Sequence, residues 1–230
     1  PPYVILSHTW NEDEVTFQDL DDPDHTKKRG YAKIDGLCCL AAQNGYQWVW
    51  VDTCCIDKTS SAELSEAINS MYQWYKDASI CYVYLEDVHP GDDPSSFDSQ
   101  FGNSRWFTRG WTLQELLAPR TVEFFDAAWR ELGRRSSLAP KIESITSIPA
   151  YFLRFNPYSA FRDTEIAVKM SWAARRQTMR VEDRAYSLLG IFDVSMPLLY
   201  GEGERAFERL QIEIMKQSSD DSILAWACQG

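Results

Sequence analysis

The segment WTLQEL, residues 111–116, carries the side chain best suited to chemistry in this sequence. It places Glu115 in the first turn of a predicted helix, directly after a polar loop. A carboxylate at such a position can act as a base or stabilise a developing positive charge. Thr112 and Glu115 also have the Thr-x-x-Glu spacing of a helix capping box, which needs no catalytic role. We therefore take Glu115 as the candidate catalytic residue, with capping as the alternative.

Polar residues that follow two predicted strands are candidate ligand contacts. Ser7, His8 and Trp10 follow the first strand, and Asp52 ends the second. Trp10 is suited to stacking on a ring, and Asp52 to accepting hydrogen bonds from a sugar hydroxyl. The alternatives are a loop pinned by a buried Trp10 and a loop ordered by Asp52. A Ser7–His8 nucleophile is disfavoured, because adjacent side chains diverge on a strand and no G-x-S-x-G motif is present.

The remaining candidates are cationic, aromatic and thiol side chains near these segments. Arg105 and Arg109 flank Trp106 and are suited to pairing with a pyrophosphate, with salt bridges as the alternative. Trp111 is expected to contact the same ligand as Arg109. Cys55 is a further candidate contact, with a buried structural thiol as the alternative, because a nucleophilic thiolate would need a base or a helix N-terminus that the sequence does not indicate.

Cysteine spacing and net charge disfavour several classes of site and partner. The six cysteines form two adjacent pairs plus Cys81 and Cys228, and only three histidines are present. This small and scattered set of ligands predicts that no metal site is present. We expect the thiols to be reduced and mostly buried, in a cytoplasmic protein. A formal charge of -11 disfavours nucleic acids and anionic membranes as partners. We find no signal peptide and no run near the ~18 apolar residues of a membrane span.

The elements that must position these residues alternate along the first 130 residues. Apolar runs predict four buried strands at residues 3–6, 47–51, 80–85 and 121–125, with helices at 31–43, 60–75 and 111–117. Alternation of this kind predicts an α/β fold with a mostly parallel sheet and helices on both faces. The sequence pattern of residues 131–230 predicts mainly helices, at 138–145, 165–174, 183–189 and 204–216. We expect one domain, 1–230, in which 131–230 form a helical extension packed on the 1–130 core.

Five segments together resemble the HET domain of filamentous fungi. They are YVILSHTW at residues 3–10, WVDTCCIDK at 50–58, RGWTLQELLAP at 109–119, EDRAYSLLGIF at 182–192 and MPLLYGEG at 196–203. The resemblance covers nearly the whole chain in the right order. It implies a cell-death effector of heterokaryon incompatibility, an allorecognition system similar to innate immunity. In full-length proteins it also implies a C-terminal nucleotide-binding module and a repeat array.

A second resemblance, to TIR domains, implies the chemistry. TIR domains also begin with a strand that ends in a Ser-containing loop, and they carry Trp-x-x-x-Glu-Leu after the third strand. Here this motif is residues 111–116, with Thr112 in place of the usual Cys. Enzymatic TIR domains use this Glu to cleave NAD+ at the nicotinamide–ribose bond. The resemblance implies a TIR-like, flavodoxin-like fold, Glu115 as the catalytic residue, NAD+ as substrate rather than cofactor, and self-association for activity.

The implied reaction is consistent with a single carboxylate. Nicotinamide is cationic in NAD+ and leaves as a neutral molecule, so no general acid is needed. One carboxylate can stabilise the oxocarbenium-like ribosyl cation. The alternative function is a non-enzymatic death-signalling module that acts by self-assembly or partner recruitment. An aromatic content of 13% indicates this alternative, since some of these rings would form an interface.

Overall fold

The computed structural model describes residues 1–155 and 161–225, which are built around a five-stranded sheet. The strands are β1 (Val4–His8), β2 (Val49–Trp50), β3 (Ile80–Tyr84), β4 (Val122–Phe125) and β5 (Glu131–Arg134). Their order across the sheet is β2-β1-β3-β4-β5. The first four strands are parallel, and β5 pairs antiparallel with β4. This strand order is that of flavodoxin-like sheets, so the predicted α/β fold is confirmed.

Helices surround this sheet and continue through the C-terminal extension. They are α1 (Tyr31–Gln43), α2 (Ser61–Asp77), α3 (Gln100–Asn103), α4 (Thr112–Leu117), α5 (Ala139–Thr146), α6 (Ala150–Phe155), α7 (Ile166–Ala173), α8 (Asp183–Tyr186) and α9 (Arg205–Gln217). Short 3-10 helices lie at Gln18–Asp21, Pro23–Lys27, Arg105–Thr108 and Asp221–Leu224. Within the described residues, every helix is too short or too polar to cross a lipid bilayer.

Strand β1 separates two hydrophobic cores. Val4 and Leu6 pack in a cluster that includes Leu37 of α1. Ile5 packs in a second, larger cluster on the opposite face, with side chains of α2 and α4. Because side chains alternate along a strand, Ser7 faces the same side as Ile5. The sequence of β1 therefore directs a serine toward the helix that carries Glu115.

The C-terminal extension shares the larger core with the sheet. Ile142 of α5, Met170 of α7 and Leu210 of α9 belong to the same cluster as Ile5 and Tyr75. All three extension residues are almost completely buried. The extension and the sheet are therefore packed around one core.

Both edges of the sheet differ from the sequence prediction. β2 is shorter than predicted and only half-buried, because it is an edge strand. The sequence pattern does not predict β5, since its residues ELGR have no apolar alternation. It pairs along β4, where Arg134 Nη2 lies 2.9 Å from Glu123 Oε1, so the sheet extends past residue 130. The helix predicted at 183–189 ends at Tyr186.

The cysteines differ in burial from the prediction. Cys54 and Cys81 are buried, but Cys38, Cys39 and Cys55 are exposed. The prediction of mostly buried thiols is therefore wrong for the described cysteines. Cys228 lies outside the described residues.

Candidate functional site

A cavity of about 250 Å³ lies at the carboxyl ends of β1 and β2. Open α/β sheets commonly bind ligands at this edge, near the point where the strand order reverses. The wall combines the loops after β1 and β2, one side of α2, the start of α4, and the extension between residues 179 and 200. The lining side chains are His8, Trp10, Asp52, Ile56, Lys58, Leu64, Ile68, Met71, Tyr75, Arg109, Trp111, Thr112, Glu115, Met179, Arg180, Asp183 and Tyr200.

Glu115 lies in the inner wall of this cavity, with 8% of its surface exposed. The N-cap of α4 is Trp111, which makes no side-chain capping bond. The Thr112 hydroxyl donates to the carbonyl oxygens of Trp106, at 2.7 Å, and Arg109, at 2.9 Å. It is therefore not used to cap the helix, and the capping-box alternative for Thr112 and Glu115 is wrong.

The Glu115 carboxyl has hydroxyl partners and a pKa far above its ordinary value. Ser7 Oγ donates a hydrogen bond to Glu115 Oε2, and Tyr75 is a second side-chain partner. Burial raises the pKa of Glu115 to about 8, and the negative charge of Asp52 adds to this effect. The hydrogen bonds of Ser7 and Tyr75 and the charge of Arg176 act in the opposite direction. The carboxyl therefore exchanges its proton close to neutral pH.

His8 presents a buried imidazole to the cavity. It is 7% exposed, and neither ring nitrogen has a hydrogen-bond partner among the described residues. Nε2 lies 3.8 Å from Asp52 Oδ1, which is too long for a hydrogen bond. Burial lowers the pKa of His8 well below its usual value, and the charges of Lys33 and Lys58 lower it further. The ring is therefore neutral at pH 7 and suited to bonding with a ligand.

Trp10 and Asp52 form one side of the cavity. Trp10 Nε1 donates to Asp52 Oδ2 at 2.9 Å, and Lys58 Nζ lies 3.8 Å from the centroid of the Trp10 ring. Trp10 is 42% exposed, so the alternative of a loop pinned by a buried Trp is not supported. Burial raises the pKa of Asp52 and lowers that of Lys58. Perturbed pKa values of this kind are frequent at functional sites.

Of the two arginines singled out in the sequence, only Arg109 lines the cavity. Arg105 Nη2 lies 3.0 Å from Glu86 Oε2, and its Nε donates to Thr9 Oγ1 at 3.1 Å. The salt-bridge alternative therefore holds for Arg105. Sequence reasoning missed Arg180, which lines the cavity with its guanidinium 4.4 Å from the centroid of the Tyr200 ring.

Ser7 and Cys55, two predicted substrate contacts, are absent from the cavity wall. Ser7 is completely buried and contacts Glu115, so it reaches a ligand only through that carboxyl. Cys55 is exposed, and its Sγ accepts a hydrogen bond from the Val51 amide at 3.4 Å. A hydrogen bond with Cys54 lowers the pKa of Cys55. The geometry supports direct substrate binding by neither residue.

The extension supplies a third acid to the cavity, Asp183, which sequence reasoning missed. Asp183 Oδ1 accepts a hydrogen bond from the Tyr200 hydroxyl at 2.9 Å, and Trp111 is another side-chain partner. Burial raises the pKa of Asp183. Both Asp183 and Tyr200 lie within segments that carry the HET resemblance, and this was the available signal for them.

Arg176 joins the extension to the start of α4. Its Nη1 donates to the Arg109 carbonyl at 2.9 Å and to Thr112 Oγ1 at 2.8 Å. Arg184 Nη1 lies 3.8 Å from Glu204 Oε1.

Glu182 closes the loop at residues 201–203. Its Oε1 accepts hydrogen bonds from the amides of Gly201, at 2.8 Å, and Gly203, at 3.0 Å. These amides are consequently occupied by a carboxylate of the chain itself. Among residues 1–155 and 161–225, no three or more His, Cys, Asp and Glu side chains are gathered to hold a metal ion.

The sequence is similar to fungal incompatibility proteins. Residues 3–99 match the family model described as Heterokaryon incompatibility protein (HET). The chain is 50% identical over 232 aligned positions to Vegetative incompatibility protein HET-E-1 of Podospora anserina. The alignment covers 98% of this chain but 17% of that protein, so the chain spans about a sixth of its relative's length. No solved structure matches the chain.

Proposed function

Because this chain belongs to the heterokaryon incompatibility (HET) family, we propose that it is a cell-death effector domain of fungal incompatibility. The 50% identity to an incompatibility protein supports this role. That relative is much longer than the chain, which is consistent with further modules in the full-length protein. We include a nucleotide-binding module, a repeat array and a cytoplasmic location in the proposal.

Within that role, the proposed reaction is hydrolysis of the nicotinamide–ribose bond of NAD+. One observation carries the proposal: a buried carboxyl, Glu115, faces a cavity of about 250 Å³ at the carboxyl ends of β1 and β2. The resemblance of residues 111–116 to the catalytic segment of TIR domains implies the same residue. The unpaired imidazole of His8 gives independent support for a ligand in this cavity.

In the proposed reaction, the bond between nicotinamide nitrogen and ribose C1′ breaks and its electron pair leaves with nicotinamide. The ribosyl group develops positive charge, which the ionised carboxylate of Glu115 stabilises. Water then adds to C1′ and loses a proton. The products are nicotinamide, ADP-ribose and a proton, and no other reactant is required.

Other lining residues are suited to the remaining parts of NAD+. Trp10 and Trp111 offer rings for stacking on nicotinamide. A ribose hydroxyl between His8 and Asp52 would donate to the carboxylate and accept from the imidazole N–H. Arg109 and the exposed Arg180 are suited to the pyrophosphate.

The size of the cavity favours partial enclosure of the dinucleotide. Its 250 Å³ lies below the ~300–1,000 Å³ usual for enclosed small-molecule sites. We propose that the nicotinamide and its ribose enter the cavity. The rest of NAD+ then lies over the opening, beside Arg180.

The raised pKa of Glu115 is compatible with this role. At pH 7 an acid with a pKa of about 8 is mostly protonated. The cationic nicotinamide ring would lower that pKa, because an opposite charge favours the ionised form. Substrate binding therefore generates the carboxylate that the reaction needs.

The test is nicotinamide release by the purified domain, at high protein concentration because the resemblance implies self-association. We expect release from NAD+ and none from NADH, whose reduced ring is not a cationic leaving group. Glu115→Gln should lower the rate by ~10²–10³-fold, the usual effect of removing one transition-state contact. Ser99→Ala, at a buried serine that does not line the cavity, is the control and should keep full activity. No release from the wild-type domain would count against the proposal, and unreduced release by Glu115→Gln would reject the residue.

Exposed aromatic side chains favour a second candidate function, a non-enzymatic module that acts by self-assembly or partner recruitment. Phe97 is 96% exposed and Trp48 is 59% exposed. Aromatic residues are enriched at protein interfaces. If this alternative is right, Phe97→Ser and Trp48→Ser should abolish cell death in a fungal host, while Glu115→Gln leaves it intact. The NAD+ reaction predicts loss of cell death in Glu115→Gln.

A further inference from the structure

A chain of two buried hydrogen bonds ends on Glu115. Trp106 Nε1 lies 2.8 Å from Ser7 Oγ, and Ser7 Oγ in turn contacts Glu115 Oε2. Ser7 and Trp106 are completely buried, so water does not compete for these contacts. Neither residue lines the cavity.

The chemistry of the three groups fixes the direction of this chain. An indole N–H only donates, so the Ser7 oxygen accepts from Trp106. The Ser7 hydroxyl proton is then available to Glu115 Oε2. Each bond polarises the next, and a buried chain with a fixed direction is stronger than its separate members.

The surrounding elements hold both residues in place. Ser7 lies within β1, where it pairs with Val83 of β3. The Trp106 ring packs edge-on against Phe107 and Phe124, with centroid distances of 5.0 Å and 5.5 Å. Rotation of the indole away from Ser7 would disturb this aromatic packing, so its N–H is preorganised toward the serine.

We propose that Ser7, oriented by Trp106, is a positioning residue that holds Oε2 of the Glu115 carboxyl. Ser7 donates to Oε2 in both protonation states, so the carboxyl proton is carried on Oε1. Loss of the Ser7 hydroxyl would free the Glu115 carboxyl to rotate and would remove a donor that favours the ionised form. The effect on catalysis rests on the proposed NAD+ reaction, whereas the effect on the carboxyl does not.

Other groups also act on the Glu115 carboxyl, and they stay unchanged when Ser7 is altered. The ionisable ones are Tyr75 of α2, Asp52 after β2, Arg176 of the extension and Cys81 of β3. His8 of β1 lines the same cavity wall. The hydrogen bond from Ser7 lowers the pKa of Glu115. Ser7→Ala should therefore raise the Glu115 pKa above its value of about 8.

The test is an NMR titration of the domain with ¹³C-labelled glutamate side chains, in which Glu115→Gln identifies the Glu115 signal by its loss. We expect Ser7→Ala to move the titration midpoint upward by about one pH unit, in the range of hydrogen-bond effects. Trp106→Phe should give a smaller upward movement, and Ser7→Thr, which keeps the hydroxyl, should restore the wild-type midpoint. Ser99→Ala is the control for removing a buried serine hydroxyl and should leave the midpoint unchanged.

An unchanged midpoint in Ser7→Ala overturns the proposal, and this comparison stands even if Ser7→Thr or Trp106→Phe fails to fold. In the activity assay, Ser7→Ala should lower kcat/KM at pH 7 by ~10-fold if the pKa of Glu115 in the free enzyme rises by about one. The two proposals fail in different ways. A raised midpoint without NAD+ cleavage contradicts the proposed reaction alone, whereas cleavage with an unchanged midpoint contradicts the role of Ser7 alone.

Discussion

Glu115 is a carboxyl that burial keeps protonated at pH values where a free glutamate is ionised. Its position after a polar loop and within a Trp-x-x-x-Glu segment was visible in the sequence. Its partners were visible in part, because residues at strand ends meet at one edge of a parallel sheet. This places His8, Trp10 and Asp52 in the cavity. The prediction of Ser7 as a substrate contact is not supported, because the alternation of β1 directs it behind the carboxyl.

The raised pKa of Glu115 makes its contribution to folding stability depend on pH. The folded state holds the Glu115 proton up to a pKa of about 8, whereas the unfolded state releases it near the ordinary value of 4.5. The folded state therefore binds more protons between these values, and Glu115 destabilises folding progressively as pH rises through that window. We expect the unfolding free energy of Glu115→Gln, compared with that of wild type, to increase as the pH rises from 5 to about 8. The increase is at most ~1.4 kcal/mol for each pH unit. Urea unfolding at several pH values measures this difference. A constant difference across the window would show that Glu115 titrates normally.

At the scale of elements, apolar periodicity predicted the strands and helices that pack on both sides of the sheet. Apolar periodicity did not predict β5. This polar strand is held by hydrogen bonds to its neighbour β4 and by the turn between the two strands. Asp126 Oδ1 organises that turn by accepting from the amides of Ala128, at 2.8 Å, and Arg130, at 2.9 Å. A strand defined by such contacts has no pattern of its own in the sequence.

The packing of α1 on the same turn gives a prediction at Gly36. A Cβ on Gly36 would lie 2.1 Å from Trp129 Nε1, and the Trp129 ring is held against Tyr84 and Phe125. Alanine favours a helix over glycine by ~1 kcal/mol, but overpacking of this severity costs ~1–3 kcal/mol. We therefore expect Gly36→Ala to lower the free energy of unfolding, as measured by urea denaturation.

The matched control is Gly102→Ala in α3. There a Cβ would lie 3.1 Å from Cε of the Lys141 side chain and 3.2 Å from Ser99 Oγ, contacts that small side-chain movements can relieve. This variant should be neutral or slightly stabilising. A Gly36→Ala protein as stable as Gly102→Ala would contradict the packing of α1 against Trp129.

At the scale of the whole molecule, the extension completes the cavity that the sheet begins. Arg180, Asp183 and Tyr200 come from this region. They could not be predicted as site residues from local patterns, because they reach the cavity only through tertiary packing. The helical nature of the extension could be predicted, because its apolar residues recur at helical spacing.

Arg176 gives a prediction for the connection between core and extension. Arg176→Met removes the hydrogen bonds to the Arg109 carbonyl and the Thr112 hydroxyl. Loss of hydrogen bonds from a charged donor costs ~1.5–3 kcal/mol. We expect a lower urea midpoint, still with a single transition in fluorescence and circular dichroism, because the two parts share one core. Arg175→Met, at the exposed neighbouring arginine, should be close to wild type. Equal urea midpoints for the two variants would show that the Arg176 hydrogen bonds do not stabilise the connection between core and extension.

The pH dependence of nicotinamide release tests the role of Glu115 most directly. The free enzyme determines kcat/KM, so we expect this quantity to rise with pH along one limb with a midpoint near the Glu115 pKa of about 8. The corresponding rise in kcat should have its midpoint at lower pH, because the bound nicotinamide cation favours the carboxylate. Glu115→Gln should lose activity and both limbs. Rates from wild type that do not change between about pH 6 and pH 9, or a limb that persists in Glu115→Gln, would contradict the assignment of catalysis to this carboxyl.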